Sequence, residues 1–215
     1  MLNVLTMGGS NYTESARKTM IGMAQHTAMG LLLFAVMASL DIGVTSTAML
    51  ILAAVGGIGL SVGMHYVRNL VIQYAMYYGA VVCLSVISVP MVTMTLQSDG
   101  GKGIVLLASI ITLSAIIAAT YLALQTKMNL DPLKKVLCIA LVMLLVGMVA
   151  NIFIGSSLFG LMISYVVVVV MFGCMVVEMN DIATGKQTNV PVAAMGMFLN
   201  ILNMFLHLLN ILSDD

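Results

Sequence analysis

The chain has 215 residues, of which 61% are hydrophobic and only 7% charged, and its mean hydropathy is +1.13. Soluble domains carry about 25% charged residues, so a soluble globular fold is excluded and most of the chain must face lipid or other apolar helices. Eight Lys and Arg balance eight Asp and Glu with no basic run of the kind that neutralises phosphates, which excludes nucleic-acid binding.

A membrane-spanning helix takes about 20 residues. Apolar stretches bounded by polar or turn residues predict seven of them, an all-α membrane bundle. Residues 1–18 read as a short polar cytoplasmic tail, in which Gly8, Gly9, Ser10, Asn11 and Glu14 leave no room for the apolar core of a cleaved signal peptide. Residues 19–215 read as a single transmembrane domain. The first span covers Met20 to Leu40 and stops at Asp41, Ile42 and Gly43; the second covers Ser46 to Met64 and stops at His65 to Asn69. The third, Leu70 to Leu96, ends in the polar stretch Gln97 to Gly103. The fourth, Ile104 to Leu124, is followed by Thr126 to Pro132. The fifth, Val136 to Ile154, and the sixth, Leu158 to Val177 or a turn beyond, are separated only by Gly155, Ser156 and Ser157, which demands a tight antiparallel pair. The seventh covers Val192 to Leu212.

Lys and Arg in short loops stay on the cytoplasmic side. With the N-terminus inside, Arg17, Lys18, Arg68, Lys127, Lys134, Lys135 and Lys186 are cytoplasmic and only Lys102 lies outside. Seven spans then put Ser213, Asp214 and Asp215 on the outer side. In the second span Gly59-x-x-x-Gly63 is expected to let two helix backbones approach closely. The 21 methionines are spread over all spans and read as flexible apolar filler. Cys83, Cys138 and Cys174 all lie within apolar runs and read as buried thiols rather than a disulfide framework.

Ionisable and amide side chains inside a bilayer are costly and mark a pathway, a switch or a contact between helices. Glu178, at the inner end of span six, is either part of a pathway or an interfacial residue snorkelling to water. In span seven Asn200, Asn203, His207 and Asn210 recur at steps of three, four and three, which lines one helical face. That stripe faces the bundle interior, as a water-filled path or as hydrogen bonds holding the helices together. Gln25, His26, Gln73 and Asn151 read individually as satisfied packing residues. Arg68 and Asp181 are candidate gate partners, Arg68 because it shares the inner end with Glu178. No His-Glu-x-x-His, Gly-x-Ser-x-Gly, Cys-x-x-Cys or phosphate-binding glycine loop is found, so the chain is read as non-enzymatic; Ser164 or Ser85 beside His207 is conceivable but not indicated. A proton-coupled transporter would want a pair of broken spans in equivalent halves, and Pro90 alone does not supply it.

The stretches Gly147 to Phe153, Glu178 to Ile182, Thr188-Asn189 and Phe198 to Leu209 resemble the Bax inhibitor-1 family of membrane proteins. Members end in a helix like Tyr-Leu-Asp-x-x-Asn-x-Phe-x-x-Leu-Leu, and this chain keeps the Asn, Phe and Leu-Leu at Asn203, Phe205, Leu208 and Leu209. Arg17-Lys18 and Tyr121 to Lys127 also look like family features. The resemblance implies a pH-sensitive calcium leak built on two acidic residues, the first corresponding to Glu178 and the second to Asn200. An amide cannot ionise, so a shared-proton pair cannot operate in that form. One Glu with amide oxygens is also a weak calcium site. The pattern is similar to the bacterial branch that binds a membrane-bound AAA protease and modulates it.

The sequence is thus read as a seven-helix inner-membrane protein with no cofactor, Ca2+ as the permeant ion and the bilayer as its surroundings. Glu178 is the expected gate, Asn200, Asn203 and His207 the expected path, and Arg68 the group that holds Glu178 at rest. The alternative is a non-conducting protein that modulates a membrane-bound AAA protease through its tail and loops.

Overall fold

A computed structural model describes residues 14–43, 46–126 and 129–214. Among these residues it contains seven helices: α1 Glu14–Ser39, α2 Thr47–Gly63, α3 Leu70–Gln97, α4 Gly101–Gln125, α5 Asp131–Ile154, α6 Ser157–Ala183 and α7 Val190–Leu212. Six are long and apolar enough to cross a membrane. The seventh, α2, has 17 residues and rises about 26 Å, somewhat less than a bilayer core of about 30 Å. The chain is therefore an all-helical integral membrane bundle.

Local chemistry fixes the helix ends. Asn69 Oδ1 accepts from the backbone N–H groups of Val71 and Ile72 and caps α3. Asn189 Oδ1 accepts from Val192 N and caps α7. The α5–α6 hairpin turns on Gly155, whose φ of 66° is a left-handed conformation that suits glycine. Three helices run well past the expected spans, α5 among them because it begins at Asp131 rather than Val136. The first begins at Glu14 rather than Met20, and α6 runs on past Val177 to Ala183, which puts Glu178 inside a continuous helix.

The centre of the bundle is α7, which packs against α1, α3, α4 and α6. Ala193, Ala194, Met197, Phe198, Met204 and Leu209 on it are all buried. By contrast α2 packs chiefly on α3, and α5 chiefly on α6. No residue of α5 is buried, and its Val142, Val146, Ile152 and Phe153 are each more than 60% exposed. Apolar surface on that scale belongs against lipid. Cys138 on α5 is exposed too, which corrects its reading as a buried thiol, while Cys83 and Cys174 are half-buried; all three are free.

Small residues let the central helices meet. A Cβ on Gly30 of α1 would lie 2.6 Å from the Tyr77 hydroxyl of α3 and 3.2 Å from Phe198 of α7. That space lets the fully buried Tyr77 donate to the His26 carbonyl at 2.9 Å. On α2 the contact face is not the one expected. A Cβ on Gly59 would meet nothing within 4 Å, whereas one on Gly63 would lie 2.8 Å from Met76 and one on Gly57 3.2 Å from Leu84. The α2–α3 contact thus uses Gly57 and Gly63, because Gly59 points away from α3.

Several isolated polar residues serve as ties. Buried Gln73 donates to the carbonyls of Met64 and Val67 and accepts from Asn189 Nδ2 at 3.0 Å, fastening the α2–α3 turn to the start of α7. His26 shares a 2.7 Å hydrogen bond with the Tyr78 hydroxyl. Gln25 is exposed and Asn151 half-buried.

Gly30→Val forces the Tyr77 and Phe198 rings apart and should cost about 1–3 kcal/mol. Tyr77→Phe, which loses one hydrogen bond, should cost about 1 kcal/mol. Thermal unfolding in detergent reads both, and a Gly30→Val chain that melts with wild type contradicts the packing described.

Candidate functional site

The contacts between helices place Arg17, Lys18, Arg68, Lys134, Lys135 and Lys186 at one end of the bundle, here termed the basic end, and Lys102 at the other. Lys127 and most of the tail 1–18 lie outside the described residues.

A cleft of about 410 Å³ opens at the basic end between α2 and α5, with α6 and α7 as its floor. Its composition follows from helical spacing. On α6, Cys174, Glu178 and Asp181 fall at steps of four and three, and on α5, Lys134, Cys138 and Leu141 do the same, so each set lines one face. From α7 come Gly196, Leu199 and Asn200, from α2 Ser61 and Val62, and from the turn after α2 His65.

Glu178 lies directly against the α7 backbone. A Cβ on Gly196 would overlap Glu178 Oε2 and come within 2.8 Å of its carboxyl carbon. Glycine at 196 is therefore what allows the carboxylate its place in the cleft. Nothing in the α7 polar stripe marks this residue; its signal is an unbranched gap one turn before Asn200. The Glu178 carboxylate makes no hydrogen bond or ion pair with another described residue.

The ion pairs at this end belong to its neighbours. Lys134 Nζ donates to Asp181 Oδ2 at 2.6 Å, joining α5 to α6. Lys186 donates to Asp131 at 2.7 Å and to Asn129 at 2.8 Å, closing the α6–α7 connection against the start of α5. Arg68 is exposed, lies outside the cleft and forms no ion pair with Glu178, contrary to expectation. The reason is positional. It follows the end of α2, whereas Lys134 sits inside the first turn of α5 and reaches the acidic face of α6. Asp181, expected as a gate partner, is buried and engaged by Lys134.

The stripe on α7 divides. Asn200 lines the cleft with Glu178. Asn203 is half-buried and lines neither this cleft nor the second one described below. His207 Nδ1 and Asn210 Nδ2 both lie 2.9 Å from Ser164 Oγ on α6. That hydroxyl also lies 3.1 Å from the Gly160 carbonyl, to which it donates. Ser164 therefore gathers two side chains of α7 onto one oxygen, an arrangement of interhelical hydrogen bonds. Ser164 and His207 thus do come together, yet Ser164 is 2% exposed and lines neither cleft. Ser85 is buried, and its hydroxyl has no partner among the described residues.

A second cleft of about 410 Å³ lies towards the other end, between α1 and α4, and is walled by apolar side chains such as Leu31, Phe34, Ile116 and Phe205. It reaches α7 at Ile201, the residue after Asn200, and consecutive residues on a helix point about 100° apart. The two clefts thus approach α7 from different sides. Among the described residues no group of three or more His, Cys, Asp or Glu side chains comes together to hold a metal.

The family model described as Inhibitor of apoptosis-promoting Bax1 matches residues 16–215. An uncharacterized membrane protein of Vibrio cholerae is 36% identical over 87 residues, 40% of this chain and 39% of that protein. The Escherichia coli protein named Modulator of FtsH protease YccA is 34% identical over 89 residues, 41% of each chain. A protein of Campylobacter jejuni is 25% identical over 145 residues, 67% of this chain and 63% of its own length. The matches thus span about two fifths of the Vibrio and Escherichia proteins.

Ser164→Ala leaves His207 and Asn210 without their shared acceptor and should lower stability by about 1–3 kcal/mol. Asn200→Ala, at the edge of a cleft, should stay within about 0.5 kcal/mol of wild type. Equal melting of the two variants contradicts the division of the stripe.

Proposed function

We propose that this chain, which belongs to the Bax inhibitor-1 family and is an integral protein of the bacterial inner membrane, modulates a membrane-bound AAA protease without itself being one. The observation that carries this reading is the divided polar stripe of α7. Two of its members are engaged with Ser164, and the residues that follow Asn200 on the other side of α7 meet an apolar cleft. The likeness to an E. coli protein named as a modulator of FtsH supports the same reading. Placing the basic end in the cytoplasm follows the positive-inside rule. The Lys186–Asp131 closure and the tail would then face the protease.

A second reading has its own support. Glu178 and Asn200 share one cleft at the basic end, an arrangement suited to the inner vestibule of a slow cation leak with calcium as the permeant ion. Any pH dependence of that leak would involve Glu178 together with the other titratable groups facing it: His65 just after α2, Lys134 and Cys138 of α5, and Cys174 and Asp181 of α6.

Both readings are tested in one preparation, liposomes holding the purified chain with and without an FtsH-type protease and a membrane substrate. The modulator reading expects the degradation rate to change several-fold with the chain present, and to return to baseline when residues 2–13 are removed from a bundle that melts like wild type. It also expects calcium flux equal to that of empty liposomes. An unchanged degradation rate overturns it. Protein-dependent flux that shifts in Glu178→Gln establishes the leak in its place.

A further inference from the structure

The cleft between α2 and α5 has a lining that the protease reading does not use. It lies a short distance inside the basic end: Glu178 is five residues before the end of α6, and Lys134 three residues after the start of α5. At 1.5 Å per residue that is roughly 5–8 Å from the helix ends, the depth at which lipid headgroups meet acyl chains. Exposed Tyr66 and Arg68 follow the end of α2 at the same level, residue types that favour the membrane interface. Because α2 leans on α3 and α5 on α6, the space between α2 and α5 opens sideways, towards lipid.

The polar groups are ordered. Lys134 and His65 are exposed cationic or protonatable groups at the mouth. Lys134 gives one bond to Asp181, which leaves two ammonium protons for another acceptor. Deeper in, Glu178 rests on Gly196 and forms no ion pair with a described residue, and Lys134 attracts it only across the cleft. Val62, Leu137 and Leu199 wall the space between with apolar surface. A ligand matching this order carries a cationic group at its inner end, an anionic group a few bonds away at the mouth, and a long apolar body attached on the anionic side and lying outside. A carboxylate held in an apolar setting is far better placed with a donor than without one. The 410 Å³ volume falls in the range of small-molecule sites.

We infer that this cleft is a binding site for an aminophospholipid headgroup, its phosphate at Lys134 and His65, its ammonium at Glu178 and its acyl chains along α2 and α5. The inference does not rest on the protease reading, since lipid retention is measured on the chain alone.

The test is native mass spectrometry of the purified protein given phosphatidylethanolamine and phosphatidylglycerol in equal amounts. Wild type should retain phosphatidylethanolamine several-fold over phosphatidylglycerol, and Glu178→Gln should bring the two to parity. Lys134→Ala should weaken retention of both, because both carry the phosphate. Should Glu178→Gln melt below wild type, Val62→Trp serves instead. It lies on an exposed wall, half of it open, and fills the mouth without entering the core. Equal retention of the two lipids by wild type, a preference for phosphatidylglycerol, or a phosphatidylethanolamine preference that survives either Glu178→Gln or Val62→Trp overturns the site.

Discussion

A polar side chain on a helix that other helices surround must find its partner on one of them, because a bilayer interior offers no water to take its place. That constraint governs this bundle through α7, which carries Asn200, Asn203, His207 and Asn210 yet packs against four neighbours. Ser164 meets the requirement for two of them with one oxygen. At the other end of α7, Gln73 meets it for the capping Asn189 and for two carbonyls of the α2–α3 turn. Position and identity are thus coupled along α7: its ends are tied by hydrogen bonds, and Asn200 is the member of the stripe that lines one of the two clefts described.

Close approach makes these ties geometrically accessible. Gly30 admits the Tyr77 hydroxyl to the backbone of α1, and Gly196 admits the Glu178 carboxylate to the backbone of α7. In the first case the polar group is satisfied within the bundle. In the second it is displayed to a cleft, with its nearest lysine already engaged by Asp181. The same packing device therefore yields a structural tie in one place and a candidate binding group in the other.

Much of the architecture was legible in the chain. Apolar run length located all seven helices, and Gly155 with two serines announced the α5–α6 hairpin. The breaks after Asp41 and Gln97 also fall where the helices end. Glu178 stood out because a carboxylate in so apolar a chain has few explanations. What could not be read was which polar groups meet. Arg68 and Glu178 shared an end of the bundle, but end placement says nothing of azimuth, and Lys134 occupies the facing surface of α5. The stripe on α7 was visible as a periodicity. Its division was not, because the chain offered Ser164 beside His207 only as a conceivable nucleophile pair, and which face of α6 meets His207 and Asn210 depends on how the two helices pack. The Gly59-x-x-x-Gly63 motif misled for a related reason: the spacing was right, but Gly57 and Gly63, rather than Gly59, face α3.

The account turns on whether α7 carries a continuous water path or a divided stripe. In a chain with Cys83, Cys138 and Cys174 replaced by Ala, a single Cys is placed in turn at positions 200, 203, 207 and 210. Each protein is then exposed in sealed vesicles to a membrane-impermeant thiol reagent from either side. The divided stripe predicts labelling at 200 from the basic end and protection at 207 and 210 from both sides. Labelling that continues through 203, 207 and 210 would mean that water follows the whole face, and would contradict the assignment of His207 and Asn210 to Ser164.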